Sequence, residues 1–596
     1  MFTTRPEIRG TFGVVASTHW IVSSVGMSIL ERGGNAFDAA VAAGFTLQIV
    51  EPHLCGPAGE VPILFHAAGA DSPSVLCGQG VAPAAATIEA FKRQGMDLVP
   101  GSGLMSAVVP GAFDAWLLLL RDHGSFDLKD VLEPAIHYAE AGHPLLPGAA
   151  RALEEVAPIF QNEWPSSGPV WLPNGQAPKA GKLFRNPTLA ATWRRILKEA
   201  GNGSREQRID RARRAWSQGF VAEQIDHFCR TQSLMDSSGD CHGGLLTGDD
   251  MAAWEAHYET PVSYNYRGWT ICKTGPWAQG PVMLQALSLL SGYDIQSLDP
   301  NGAEFAHLTL EAIKLAMADR EAYYGDPNFV DVPLAQLLSD DYAAERRKLI
   351  TPRASQQLQP GVVNGFEEQV QRALAQVREA TDEAAGLGIG EPTMAHLQST
   401  TKPGDTVHVD IIDRYGNMVS ATPSGGWPQS SPTLPGLGFA LNTRAQMFWL
   451  EPGLPSSLAP GKRTRNTLTP TLALREGRPA LICGTPGGDQ QDQWQLLLLL
   501  RHIDHSIPLQ QAIDMPLFHS LHAPASFYPR EAMSGVAVVE ENMGSEMIEE
   551  LRRLGHDLRI APAWSAGRLT AASRDADGLL SAAATPRLMQ AYAVGR

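Results

Sequence analysis

The sequence predicts an α+β protein, and three observations predict it. Strand-like and helix-like stretches alternate over the first 120 residues. The middle of the chain is mainly helical, and past residue 406 short strand-like runs take over. Apolar residues recurring every three or four positions mark a helix face, whereas alternation marks a half-buried strand.

In chain order, 13–17 is a short apolar strand, and 19–32 and 37–50 carry helical periodicity on either side of the turn Gly33-Gly34-Asn35. Residues 61–66 and 74–77 return to strand. From 126 to about 199 the pattern is helical with Pro/Gly-rich interruptions. A helix opens at 249–254, 261–273 is a strand region, and 280–292 and 303–324 are the clearest helices. The stretch 351–405 is rich in Gln, Glu, Ala and Gly. It reads as an exposed connector with one polar helix, and loops of that length are uncommon unless functional or disordered. Strands follow at 407–412, 418–421, 438–441, 469–474 and 480–484. The leucine runs 117–120 and 496–500 fall far short of the ~20 apolar residues that span a bilayer, so they read as buried helix faces.

Composition excludes several classes. The 596 residues are 44 % hydrophobic, enough for a large core, and carry a net charge of −16. A nucleic-acid partner needs clustered Lys and Arg, and no run of five basic residues exists here to serve nucleic acid or a membrane surface. The six cysteines (55, 77, 229, 241, 272, 483) are too scattered for a disulfide scaffold. His227, Cys229, Cys241 and His242 have no common zinc spacing, so no metal is expected. The start lacks the basic and apolar regions of a secretory signal, which leads to the expectation of a soluble, cytoplasmic protein.

The chemistry concentrates at Thr406. Residues 406–413 form a strand with Val407, Val409 and Ile411 on one face, 414–417 turn, and 418–422 return. A turn centred between Tyr415 and Gly416 sets Thr406 opposite position 425, next to Ser424. A threonine hydroxyl is a poor nucleophile until a base lies close, and its own α-amine can be that base at a chain terminus. With a reference pKa near ~8, that amine is appreciably unprotonated at neutral pH. Creating it requires cutting the Asp405–Thr406 bond, behind a polar segment suited to processing. Taken locally, the same residues also fit the start of an ordinary β hairpin. Gly487 and Gly488 sit in a strand-to-helix turn, Gly484-Thr485-Pro486-Gly487-Gly488-Asp489, where adjacent glycines can aim two N–H groups at one point as an oxyanion hole requires. A plain tight turn fits the pattern too.

Together these motifs resemble the γ-glutamyltranspeptidase family over nearly the whole chain. The resemblance is carried by Gly33-Gly34-Asn35-Ala36-Phe37-Asp38 with Glu51-Pro52-His53, by Gly244-Leu245-Leu246-Thr247, and by Glu311-Ala312-Ile313-Lys314 running on to Asp319-Arg320. Gly325-Asp326-Pro327, Leu337-Leu338-Ser339, Thr406-x-His408 with Asp413-x-x-Gly416-Asn417, Lys462-Arg463, Thr469-Pro470-Thr471 and Pro486-Gly487-Gly488 follow in register. The resemblance implies a four-layer αββα sandwich of the N-terminal nucleophile hydrolase type. It also implies a precursor that cuts itself into a large fragment, 1–405, and a small one, 406–596. Thr406 would attack its own peptide and then an amide substrate through an acyl-enzyme, with Ser424 as the supporting hydroxyl and Gly487 and Gly488 holding the oxyanion. No cofactor is implied.

The family's γ-glutamyl grip is altered. Gln79 replaces the arginine that meets the α-carboxylate, Asn466 and Thr467 replace two serines, Met447 replaces the aspartate for the α-amine, and Gly426 replaces a strand asparagine. Met447 offers nothing to an ammonium, and leaving such a charge unpaired in a pocket costs several kcal/mol. Arg444 is a forked donor suited to a substrate carboxylate, and a structural salt bridge fits it equally well. The expected substrate is therefore a small amide whose acyl part carries a carboxylate and no free α-amine, such as the dicarboxylic monoamide oxamate. The stretch between Phe448 and Lys462 is also short for the family's lid loop, which favours water as acceptor. Two other readings stand beside this one: a γ-glutamyltransferase or glutathione hydrolase that grips by other residues, and a non-catalytic relative kept as a binding protein.

Overall fold

The computed structural model describes residues 2–380, 391–393, 402–404 and 406–596. Two seven-stranded sheets lie face to face with helices on both outer sides. The first sheet runs in the order Tyr592–Gly595, Gly13–Ser17, Val409–Asp413, Met418–Ala421, Val61–His66, Ser74–Gly78, His257–Glu259. The second runs Ile8–Gly10, Leu580–Ala584, Thr570–Arg574, Arg478–Gly484, Thr471–Arg475, Trp269–Lys273, Val262–Tyr266. Neighbouring strands are antiparallel throughout both sheets.

Side-chain alternation builds the layers. Val14, Ala16, Leu64 and Ile412 of the first sheet meet Leu472, Ile482, Ala572 and Ala582 of the second in one buried cluster. The opposite faces, such as Val15, Val409 and Ile411, or Ile271, Ala473 and Leu481, pack against helices. Trp20–Glu31, Ala36–Val50 and Ala112–His123 cover the first sheet, and Pro281–Leu290, Ala303–Tyr323 and Gln491–Ile503 cover the second. Both leucine runs are buried in these helices. The helix Ala36–Val50 starts where Asn35 takes the N–H groups of Phe37 and Asp38 while Asp38 returns a bond to the Asn35 N–H, a capping box that satisfies donors a helix start leaves open. The αββα expectation therefore holds.

Both sheets interleave strands from either side of residue 405, so cleavage there would leave fragments held by ladder hydrogen bonds and a shared core. The connector differs in part from the exposed segment expected. Through residue 380 it is tied to the body: Gly361 donates to Asp319 (2.7 Å), Lys314 donates to the Ser355 carbonyl (2.8 Å), and Val363 and Val370 of the helix-bearing stretch are buried. Asp405 lies outside the described residues. Among the described residues the stretch 438–441 forms only isolated bridges, Ala440 with Thr433 and Leu441 with Ala58, because its partners are loops rather than strands. Among the described residues no helix is long and apolar enough to cross a membrane.

Candidate active site

Thr406 heads the strand Val409–Asp413, which lies between Gly13–Ser17 and Met418–Ala421. The hairpin register pairs Val409 with Ala421, and the Val407 N–H donates to the Pro423 carbonyl (3.1 Å). Ser424 thus faces Thr406 directly, one residue from the expected partner, 425. The hairpin closes with a three-residue loop, Arg414-Tyr415-Gly416, whose last residue has φ +90°, and not with a two-residue turn. The Asp413 carboxylate accepts from the N–H groups of Tyr415 (2.9 Å) and Asn417 (3.1 Å) and fixes that loop.

Strand alternation turns Val407, Val409 and Ile411 to the helix layer, leaving His408 and Asp410 inside the sandwich. There they are satisfied by hydroxyls: His408 pairs with Thr422 (2.8 Å) and Asp410 (3.0 Å), and Asp410 accepts from Ser420 and Thr570 (2.7 Å each). Buried polar groups persist only when so paired, and this network props the strand that carries Thr406.

Thr406 is buried, and its hydroxyl donates to Ser424 Oγ at 3.2 Å. Arg444 Nη2 donates to the same Ser424 oxygen at 2.6 Å, and Arg444 Nε bonds Glu60. Arg444 is 1 % exposed and lies over the Trp427 ring, 5.0 Å from its centroid. The guanidinium expected to meet a substrate carboxylate is therefore engaged by Glu60 and Ser424. The loop bearing Glu60 is clamped to Ser424 by reciprocal backbone bonds of 3.0 Å, and a Cβ at Gly59 would overlap the Ser424 carbonyl, so this approach requires glycine. On the other side Arg568 Nη2 donates to the Thr406 carbonyl (3.1 Å), while the Arg568 N–H bonds Thr485 Oγ1 (2.9 Å). That link ties Thr406 to the turn holding Gly487 and Gly488.

In that turn Gly487 has φ +133°, and a Cβ there would overlap the Trp494 ring. Gly488 begins a single 3₁₀ turn that runs into the helix Gln491–Ile503, so its N–H lies at the positive end of the helix dipole. Asp489 behind it is bonded to Arg320 and accepts from Ser526 N–H (2.8 Å) and Oγ (2.6 Å), which makes the turn rigid. Gln79 and Asn466 are brought together, with Asn466 Nδ2 donating to Gln79 Oε1; both are buried, as are Thr467 and Met447.

Two clusters among the described residues could offer metal ligands, Cys77–His257–Glu259 and His307–Glu311–His556. In each the carboxylate already pairs with a cation, Glu259 with Arg463 (2.5 Å) and Glu311 with Lys314 (2.5 Å).

Sequence reasoning missed Glu60, Arg568 and Thr485. Glu60 had a signal, being the one carboxylate in the apolar run Gly56-Pro57-Ala58-Gly59-Glu60-Val61. Arg568 had none, since its role depends on a contact across 162 residues.

Stacked antiparallel sheets between helix layers, with a buried threonine at a strand head facing a second hydroxyl, define an N-terminal nucleophile hydrolase. The family model described as gamma-glutamyltranspeptidase matches residues 22–595, and the chain belongs to that family. It is 51 % identical to LmbA2991HD over 100 % of both chains, with a TM-score of 0.91. A cephalosporin acylase from Bacillus halodurans shares 27 % identity over 100 % of this chain and 98 % of that one, with a TM-score of 0.83. The oxamate amidohydrolase proenzyme of Klebsiella pneumoniae is 29 % identical over 97 % of each sequence. The chain is thus a γ-glutamyltranspeptidase-like hydrolase proenzyme of the kind that is processed into large and small subunits.

Proposed function

We propose that the chain cuts itself before Thr406 and then hydrolyses a small amide whose acyl group carries a carboxylate, a dicarboxylic monoamide such as oxamate being the type. The observation that carries this reading is the 3.2 Å contact between the hydroxyls of Thr406 and Ser424, braced by Arg444 and Glu60. Thr406 Oγ1 is assigned as nucleophile, and its α-amine, once freed, as base. Ser424, its oxygen held by a guanidinium, steadies the charge that develops on the attacking oxygen. The N–H groups of Gly487 and Gly488 are assigned to the oxyanion, at a rigid turn that needs no reorganisation when charge appears there. Water then releases the acyl group.

Substrate class rests on what the site lacks. No carboxylate stands at 447 for an α-ammonium, and the neutral pair Gln79–Asn466 stands where the family's charged grip would be. The oxamate amidohydrolase relative supports the same class. The test is intact-mass analysis with N-terminal sequencing of purified protein, followed by turnover of oxamate and of a γ-glutamyl anilide. Fragments 1–405 and 406–596 are expected, and Thr406→Ala is expected to remain one chain. Strong release from the anilide alone would favour the glutathione hydrolase reading instead.

A further inference from the structure

Resting on that reading, we propose that the Nε/Nη2 edge of Arg530 is the subsite for the acyl group's carboxylate. A guanidinium takes a carboxylate two-pronged through two N–H groups on one edge. In Arg444 that edge is filled, Nε by Glu60 and Nη2 by Ser424. In Arg530 it is open: Nε and Nη2 are buried and hydrogen-bond nothing among the described residues, while Nη1 alone is spent on the carbonyls of Met447 (2.8 Å) and Ser526 (3.1 Å). Arg530 is fully buried, and its guanidinium carbon lies 3.9 Å from the Trp449 ring centroid. Stacking of this kind covers a face of the guanidinium and leaves its edges available.

Arg320, Arg465 and Arg530 share a buried cluster with two carboxylates, Glu321 and Asp489. Arg320 pairs with both, and Arg465 takes Glu321 at 2.8 Å. Among the described residues Arg530 has no carboxylate within ion-pair distance, so the cluster carries one surplus positive charge. A buried unpaired cation is costly, and an incoming anion would neutralise it. Backbone geometry adds to this: Arg530 has φ +63°, a left-handed conformation that side chains other than glycine seldom adopt and that clusters at functional sites.

The position suits a substrate group. Met447, whose carbonyl accepts from Arg530 Nη1, ends the short 3₁₀ turn that Arg444 begins. Phe527 lies under Arg444 (5.7 Å), and Ser526 braces Asp489 beside Gly488. The segment 526–530 therefore joins the Ser424 brace to the oxyanion turn. Arg530 is fully buried, so a donor reaches the edge only when the packing around it shifts.

The test compares a succinic mono-p-nitroanilide with its methyl ester on processed wild type and on R530Q, R530K and R530M. Wild type is expected to prefer the acid, mainly through KM. R530Q and R530M should cut the acid-to-ester ratio of kcat/KM by roughly 10- to 100-fold, the range of a lost charged hydrogen-bond pair, with R530K between them and wild type. If R530Q is processed and keeps the wild-type ratio, the carboxylate is held elsewhere: the proposal falls while the Thr406 reading stands. If none of the three variants is processed, the guanidinium belongs to the folding core and the proposal is overturned. A wild type without preference would sink this subsite and the carboxylate assignment together, leaving self-cleavage to be judged by mass alone.

Discussion

Ser424→Ala isolates the hydroxyl pair from everything else in the site. In the structure Ser424 Oγ accepts from Thr406 Oγ1 at 3.2 Å and from Arg444 Nη2 at 2.6 Å. A neutral hydrogen bond contributes about 0.5–1.5 kcal/mol and one to a charged group about 1.5–3 kcal/mol. Only the part felt more strongly in the transition state affects rate. If most of both is felt there, the barrier rises by about 2–4 kcal/mol, or roughly 30- to 1,000-fold at 1.36 kcal/mol per decade. Self-cleavage and turnover should slow together, because both use the same oxygen. The assay is the half-life of the precursor on a denaturing gel with intact-mass identification, then kcat on whatever fraction matures. Ser424→Thr, which keeps a hydroxyl, should stay within about tenfold of wild type. Unchanged circular dichroism in Ser424→Ala would show that the fold is intact. Processing and turnover of Ser424→Ala within about threefold of wild type would refute the role given to this pair.

Removing one side of the Arg444–Glu60 pair, as in Glu60→Gln, should lower stability by about 3–5 kcal/mol because it strands a buried charge. The double variant Glu60→Gln/Arg444→Met should recover part of that in denaturant unfolding. Gly487→Ala should abolish processing, since its Cβ would overlap Trp494 at a left-handed φ; a matured, active Gly487→Ala on the gel would contradict the oxyanion-turn geometry. Stability should fall on acidification below about pH 6.5. Burial depresses His19, His53 and His556 to about 3, and His143 and His522 to about 4. In that window the unfolded chain binds more protons than the folded one, so each such histidine removes at most roughly 1.4 kcal/mol per pH unit. Denaturation midpoints that do not move between pH 7 and 5 would rule this out.

The strands 13–17, 61–66 and 418–421 and the helix Ala36–Val50 were legible because their apolar spacing is a local property of the chain. The strand expected at 438–441 failed for the complementary reason: a ladder needs an adjacent strand, and only isolated bridges meet it there. Thr406, Ser424 and the glycine pair were legible as types and spacings. The register that makes Ser424 the direct partner was not, because one glycine in a three-residue loop shifts the whole hairpin by a residue.

By itself, then, the sequence determined the layers and the family and singled out Thr406 as the candidate nucleophile, since those follow from periodicity and from residues close in the chain. Tertiary structure alone decided which arginine is occupied and which is open. Arg444 and Arg530 are the same residue type, both buried, and nothing local tells them apart. The difference is that Glu60, 384 residues away in sequence, reaches Arg444, whereas Glu321 and Asp489 are already taken by Arg320 and Arg465 before Arg530. Charge pairing acts over a few ångströms of space, and folding sets those distances.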